Sequence, residues 1–425
     1  MTHTDYDLAI LGGSLGSRLA AKTVAQQGAR VALIAPTWLE NDVSWHLYQG
    51  LYGLDIDRYP WPNVRDWVKH QCEHSRLSPT ALRSHNIDVI LEPASFTQSG
   101  SLTLAHRSLK ASRYLLTDGY GWSSPPQSGL YCHQLLNLET LPQRITVIGY
   151  GASALEWAYG LSRLANVTLI VLALLPAEDE DIQRLVQAQF RSLDITVVLA
   201  KTEADIAVLQ SEQDELTVTV PHPFNWQTAG LEKLGIAAPI LVTSQLQTSC
   251  RQIYGTGGSL GGENRPELTQ QETKTALANA LWGRRQEMRY EQAFYGINLL
   301  SPIARWGLTE HQARNCYGEA IQIFQAACLP SIATHPAQTN FCKLITLGNR
   351  IVGAHFMGQG ASVFVAALGA RPTMTILHQR MGAVAPQTLG DAINQAIDQW
   401  KGGRWREGQW RRDWAENWFN FRRSC

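Results

Sequence analysis

The chain has 425 residues, enough for two or three domains that each bury a hydrophobic core. Its 36 Lys and Arg residues equal its 36 Asp and Glu residues, so no net field attracts nucleic acid, and we expect no nucleic-acid partner. The seven cysteines have no CxxC or zinc-like spacing, which excludes a dithiol or metal site made by cysteines close in sequence. With no leader pattern and no apolar run of about 18 residues, we expect a cytoplasmic protein.

The first predicted elements lie in residues 7–21, DLAILGGSLGSRLAA, which has the pattern of a strand, a glycine turn and a helix rich in small residues. The apolar runs Leu8–Leu11 and Val31–Ile34 are separated by a helix-like stretch, Arg18–Gln27. Alternation of this kind predicts a right-handed parallel βαβ unit.

The turn of this unit only partly matches the G-x-G-x-x-G pattern that binds a dinucleotide. The three glycine positions fall on Gly12, Ser14 and Ser17, and a shift by one residue uses Gly13 and Gly16 but breaks the strand register. The second glycine lets the backbone approach a pyrophosphate, and Ser14 places a Cβ and a hydroxyl there. A small-residue turn without a ligand is therefore the alternative interpretation.

The end of the second strand also lacks an expected group. An acid at that position accepts hydrogen bonds from ribose hydroxyls, but here the residue is Ala35. The next acid is Glu40, a conceivable substitute.

A second βαβ unit follows a polar segment in which SFTQSGSLTL predicts a hairpin. Its strand is Ile145–Ile148, its helix Leu155–Leu164 and its second strand Val167–Leu172. The turn carries Gly149, Gly151 and Ala154, followed by Glu156.

No acid or arginine lies at the end of that second strand to hold a ribose or its 2′-phosphate, because the strand ends in Val171, Leu172 and Ala173. Nucleotide binding at this turn and a retained packing motif are both compatible with the glycines.

The later segments continue the α/β pattern. Glu178–Leu193 predicts a helix, and IYGTGGSLGG at 253–262 predicts a loop whose N–H groups at Gly257 and Gly258 can contact a phosphate. Thr309 is a predicted helix N-cap, and a hairpin is expected around residues 348–349, before a helix from about Ala361.

These landmarks, in this order, resemble the pyridine nucleotide-disulfide oxidoreductases, the family of dihydrolipoamide dehydrogenase, glutathione reductase and mercuric reductase. The resemblance extends to about residue 393. The segments that carry it are YDLAILGGSLGSRLAAKTVAQQGARVALIA, LLTDG, ITVIGYGASALEWA with LLPAEDEDI, AGLEKLGI with IYGTGGSLGG, GLTEHQAR and IVGAHFMGQGA.

The resemblance implies an α/β fold with two doubly wound Rossmann-type nucleotide-binding domains and a C-terminal α+β dimerisation domain, in a homodimer. It implies FAD at Gly12, Gly13, Ser14, Ser17, Gly257 and Gly258, and NAD or NADP at Gly149, Gly151 and Ala154. The expected boundaries are 1–141 and 237–287 for the two parts of the FAD-type domain, 142–236 for the NAD(P)-type domain, 288–393 for the dimerisation domain and 394–425 for a tail.

Three departures from the family concern residues that carry its chemistry. The redox disulfide maps near Asn41–Tyr48, where no cysteine occurs, and the first cysteine is Cys72. The acid–base His-Pro motif maps to Ala385 and the following proline, with Asp391 near the position of the family glutamate. Gly258 stands where the family has the aspartate that would bind the ribityl chain of the flavin.

Two functions remain open at this point. The first is a family member with weak or no disulfide-reductase activity and a binding or assembly role. The second is an active FAD-dependent NAD(P)H oxidoreductase without a dithiol, which reduces a small acceptor such as a quinone or a metal ion.

The family does not explain residues 400–425. Trp410, Trp414, Trp418 and Phe421 recur at helical spacing, and 401–425 contain seven Lys or Arg against three Asp or Glu. An amphipathic helix of this kind fits the protein's own surface or its dimer, a partner protein, or an anionic membrane to which the chain binds peripherally.

Overall fold

The computed structural model describes residues 4–55, 60–121, 129–211, 216–222, 224–261, 265–331, 333, 335–407 and 422–423. The chain divides into two compact units, 1–289 and 290–425.

The first unit contains twenty-two α-helices and β-strands among its described residues. In chain order they are β1 (Tyr6–Leu11), α1 (Leu15–Gln26), β2 (Val31–Ile34), α2 (Trp38–Gly53), α3 (Trp61–Glu73), α4 (Pro79–Arg83), β3 (Ile87–Ile90), β4 (Ser95–Phe96), β5 (Leu102–Thr103), β6 (Ser108–Leu109), β7 (Ala111–Leu116), β8 (Leu130–Tyr131), β9 (Arg144–Ile148), α5 (Gly151–Ser162), β10 (Asn166–Val171), α6 (Glu180–Ser192), β11 (Thr196–Leu199), α7 (Glu203–Ser211), β12 (Leu216–Thr219), α8 (Trp226–Ala229), β13 (Ile253–Gly255) and α9 (Pro266–Trp282).

Two five-stranded parallel sheets organise this unit. The first has the order β13-β7-β1-β2-β3 and the second the order β11-β10-β9-β12-β8. The first sheet is buried on both faces, by Ala21, Val24 and Ala276 on one side and by Phe96 and Phe224 on the other. This arrangement confirms the two doubly wound Rossmann-type sheets of the predicted fold class.

The predicted hairpin is confirmed, since β4 pairs with β5 in antiparallel register and β6 adds a third strand. Helix α1 begins at Leu15, three residues before the predicted start. The reason is a side-chain cap, because the Ser14 hydroxyl accepts a hydrogen bond from the Ser17 N–H at 3.3 Å.

The second unit is built on an antiparallel sheet. Its elements are β14 (Phe294–Ile297), β15 (Ile303–Gly307), α10 (Glu310–Tyr317), β16 (Ile321–Cys328), β17 (Asn340–Leu347), β18 (Arg350–Met357), α11 (Ala361–Leu368), α12 (Met374–Arg380) and α13 (Leu389–Glu407).

The strands of this unit follow the order β14-β15-β18-β17-β16, and the turn at residues 348–349 joins β17 to β18 as predicted. Thr309 is confirmed as the N-cap of α10, where its side chain and that of Gln312 form a capping box. Helices α11 to α13 supply the core on one face of the sheet, which includes Trp306, Phe356 and Trp400.

The aromatic face predicted for the tail, Trp410, Trp414, Trp418 and Phe421, lies outside the described residues and stays a prediction. Among the helices that are described, none is long and apolar enough to cross a membrane.

Trp400 tests whether α13 belongs to the core of the second unit, because its side chain is 5 % exposed. We expect Trp400→Ala to lower the free energy of unfolding by about 3–5 kcal/mol, since it leaves a large cavity. Leu329→Ala, at a residue that is 66 % exposed in the same unit, is the control and should change it by less than about 0.5 kcal/mol. Urea denaturation followed by circular dichroism measures both, and equal stability of the two variants would contradict this packing.

Candidate functional site

Three loops meet at the carboxyl ends of adjacent strands in the first sheet. They are the turn after β1, the segment 117–119 after β7 and the segment 256–260 after β13. Because β1, β7 and β13 are neighbours, these loops lie side by side. In doubly wound folds this edge is where a ligand binds.

The first turn is packed tightly against the loop after β7. A Cβ on Gly12 would lie 2.6 Å from the carbonyl oxygen of Asp118, and one on Gly13 would lie 2.9 Å from Nδ2 of Asn41. The Gly13 N–H donates to the Gly119 carbonyl at 2.9 Å, and the Ser14 N–H donates to the Asp118 carbonyl at 3.2 Å. The N–H groups of Gly13 and Ser14 are therefore both hydrogen-bonded to the protein.

The hydroxyls of the two serines in this turn form hydrogen bonds within the protein. Ser17 is 1 % exposed, and its hydroxyl donates to the Asp118 carbonyl at 3.1 Å. Ser14 caps α1 and lies 2.8 Å, Oγ to Oγ, from Ser17. The structure brings all four predicted residues of this turn together.

Arg18 is a buried residue that the sequence motifs did not identify. Its side chain is 2 % exposed and pairs with Asp42 of α2, and its Nε donates to the Gly13 carbonyl at 2.9 Å. Its guanidinium carbon lies 3.5 Å from the ring centroid of Trp38, also on α2. Burial lowers the pKa of Arg18, and the Asp42 carboxylate acts in the opposite direction. The first turn is thereby tied to α2.

Helix α2 contains the predicted position of the redox pair, residues 41–48. Near this position, Ser44 Oγ lies 3.7 Å from Sγ of Cys132. Burial raises the pKa of the Cys132 thiol to about 11, and it raises that of Cys72 to about 11 as well. Both thiols therefore stay protonated at neutral pH, and a thiol is a poor nucleophile.

The loop after β13 is held by two buried carboxylates. The Gly257 N–H donates to Oε2 of Glu272 at 2.6 Å, and the Gly258 N–H donates to Oδ1 of Asp118. Asp118 is 5 % exposed and Glu272 3 %. Gly257 has φ +58°, and a Cβ there would lie 2.5 Å from Asp118 Oδ1. Only glycine fits this position.

Four backbone donors of these two loops are occupied by the protein and do not fit the dinucleotide phosphate of the implied FAD. The N–H groups of Gly13, Ser14, Gly257 and Gly258 have protein acceptors, and carboxyl oxygens rather than donors face the second loop. Ala35 is fully buried, with its N–H bonded to the Ile90 carbonyl.

Glu40, the conceivable substitute for the missing ribose acid, lies in the first turn of α2. Burial lowers the pKa of His133, and the Glu40 carboxylate acts in the opposite direction.

The second predicted nucleotide turn opens α5. A Cβ on Gly149 would lie 2.9 Å from Cβ of Ala154, and Gly151 has φ +56°. Where an acid would hold a ribose, Leu172 packs against the cluster of Ile148, Ile170, Ala200 and Ile206. Gly149 therefore allows close packing against Ala154, and Gly151 supplies a left-handed backbone conformation.

Glu156 is engaged in an internal network. Its Oε2 lies 3.6 Å from Nη1 of the buried Arg265, and its Oε1 accepts a hydrogen bond from the Tyr48 hydroxyl at 3.2 Å. The carboxylate thus connects α5 with α2 and with Arg265, at the start of α9.

In the second unit, the segment that maps to the family acid–base motif forms the start of α13. Asp391 lies in the first turn of this helix, and its Oδ2 accepts a hydrogen bond from the Gln387 N–H at 2.8 Å. The N–H of Asp391 donates to the Thr388 hydroxyl at 3.3 Å. The acid near the glutamate position therefore has a structural partner, and Ala385 supplies no imidazole to orient it.

We expect Asp42→Ala to lower the free energy of unfolding by about 3–5 kcal/mol, because it leaves the Arg18 guanidinium buried and unpaired. Arg30→Ala is the matched control, because it breaks the ion pair between Arg30 and Asp7 at the surface, where the Arg30 side chain is 59 % exposed. This variant should lower the free energy of unfolding by less than about 1 kcal/mol. Urea denaturation measures both, and a loss in Asp42→Ala as small as that of the control would contradict the buried pairing.

Burial raises the pKa of Asp118 above its ordinary value of 3.8, while hydrogen bonds from Gly258 and Thr269 act in the opposite direction. The folded state therefore binds this proton more tightly than the unfolded state. The resulting stabilisation is complete below pH 3.8 and is lost as the pH rises through the raised pKa. We expect the free energy of unfolding of Asp118→Asn to fall less than that of the native chain from acidic to neutral pH. Urea denaturation at several pH values measures this difference. Free energies of unfolding that change with pH in parallel for the two proteins would contradict the raised pKa of Asp118.

Three comparisons with known proteins agree with this architecture. The family model described as pyridine nucleotide-disulphide oxidoreductase matches residues 6–276. A dihydrolipoyl dehydrogenase of Bacillus subtilis is 26 % identical over 73 % of this chain and 79 % of its own length. A mercuric reductase of Bacillus cereus is 24 % identical over 74 % of this chain, and the match spans 55 % of that reductase.

Among solved structures, the HOCl-induced flavoprotein disulfide reductase RclA from Escherichia coli has the same fold. It superimposes with a TM-score of 0.69 at 20 % identity, over 92 % of this chain and 99 % of the other. The family model matches more than half of the chain, and the two parallel Rossmann-type sheets agree with it. The chain therefore belongs to the pyridine nucleotide-disulphide oxidoreductase family.

Proposed function

We propose that this chain is a member of its family without disulfide-reductase chemistry, and that it keeps the scaffold for a binding or assembly role. The observation that carries the proposal is the composition of α2, which has Asp42, Ser44 and Tyr48 in the segment where the family resemblance places two cysteines.

Disulfide exchange requires a thiolate that attacks a sulfur atom and an acid that protonates the leaving thiolate. The hydroxyl of Ser44 cannot form a disulfide. The thiols of Cys72 and Cys132 have raised pKa values, and the Asp391 carboxylate is bonded to the Gln387 N–H. At the predicted positions, therefore, no residue is suited to act as the attacking thiolate or as the acid.

The family is FAD- and NAD(P)-dependent in general. We propose that this chain uses neither cofactor for turnover, since its flavin-side donors are bonded to the protein and an apolar leucine follows β10.

A binding role is supported by the second unit, which has a complete core and exposed apolar side chains on α11 and α12. Val363 is 72 % exposed and Ile376 is 40 % exposed. We propose a homodimer formed through this unit, with the segment 400–425 as a surface for a further protein partner or an anionic membrane.

The proposal is tested with the purified full-length chain, NADH or NADPH, and three kinds of acceptor: a disulfide, a quinone and a metal ion. We expect no turnover with any of them and a light-scattering mass of two chains. Reduction of a disulfide would overturn the proposal. A yellow protein that is bleached by NADH or NADPH and reduces a quinone or a metal ion would instead establish the flavin-dependent alternative.

A further inference from the structure

We infer that Asp118 and Glu272 are built-in substitutes for a bound anion, and that they close the flavin-side nucleotide site from within the chain. The inference deepens the proposed function, because it names the groups that keep this site without a cofactor.

The first step concerns the loop after β13. Two consecutive backbone N–H groups, those of Gly257 and Gly258, point at carboxyl oxygens of Glu272 and Asp118. Successive N–H groups in such a turn form a concave anion site, which binds phosphate or carboxylate oxygens equally well by geometry. Here the acceptors are supplied by the protein.

The second step concerns the position of Asp118 between both loops. Its carbonyl oxygen accepts hydrogen bonds from the Ser14 N–H and the Ser17 hydroxyl of the first turn. Its carboxyl group accepts hydrogen bonds from Gly258 and Thr269 on the other side. One residue therefore accepts hydrogen bonds from both glycine loops.

The third step is burial. The two acidic residues are at most 5 % exposed, and the hydroxyls of Thr269 and Ser259 lie in the same buried layer. A phosphate that entered this layer would have to displace both carboxyl groups, and they would lose hydrogen bonds in a place that water does not reach. A displaced buried acceptor is costly to leave unpaired.

The experiment compares the native chain with the double variant Asp118→Ala/Glu272→Ala. The control is Asp88→Ala, which removes a carboxylate from β3 of the same sheet, where it is bonded to Tyr6 and Arg107. The probes are inorganic pyrophosphate and FAD. The readouts are the melting temperature by circular dichroism and the flavin released on denaturation.

We expect neither probe to change the melting temperature of the native chain or of Asp88→Ala. In the double variant the freed N–H groups should bind the anion and raise the melting temperature by at least about 2 °C. If the double variant does not fold, Glu272→Ala alone frees the Gly257 N–H and should respond in the same direction.

Native protein that carries FAD or is stabilised by pyrophosphate would overturn the inference, and so would a folded variant that responds to neither probe. These outcomes are separate from those of the proposed function. Disulfide reduction by a flavin-free native chain would refute the proposed function and leave the closed site intact. FAD bound to the native chain, without disulfide reduction, would refute only the closed site.

Discussion

The hydrogen bonds made by Asp118 are the constraint on which this edge of the first sheet depends. Its carbonyl oxygen fixes the turn after β1, and its carboxyl group fixes the loop after β13. Both loops begin where a parallel strand ends. The N–H groups of Gly12 and Thr256 still bond to the neighbouring strands, and the N–H groups that follow them have no acceptor in the sheet. A buried donor without an acceptor costs about 1–3 kcal/mol, and Asp118 and Glu272 supply acceptors for these donors.

Other parts of the site follow the same logic. Arg18 and Asp42 tie the first turn to α2, and Glu156 and Arg265 tie α5 to the start of α9. These buried charges are stable only as pairs, because removing one partner leaves the other charge in a low-dielectric interior. These internal polar contacts stabilise the fold near the positions where the family resemblance implies a bound cofactor and the redox pair.

Much of the fold was predictable from local patterns. Short apolar runs, glycine turns and the cap at Thr309 are properties of neighbouring residues, and they predicted both parallel sheets and the start of α10. The helix after β1 begins earlier than predicted because Ser14 serves as a cap. The sequence also showed that α2 has no cysteine in residues 41–48, because the family resemblance gives the position where the redox pair is expected.

The sequence by itself determined the order of the βαβ units, the positions of the glycine turns and the loss of the residues for disulfide chemistry. Only the tertiary structure decided what occupies those turns. Asp118 and Gly258 are 140 residues apart in the chain, and they meet because β7 and β13 are adjacent in the sheet. Hydrogen bonds across such distances depend on strand order and register, which no local pattern of residue types encodes.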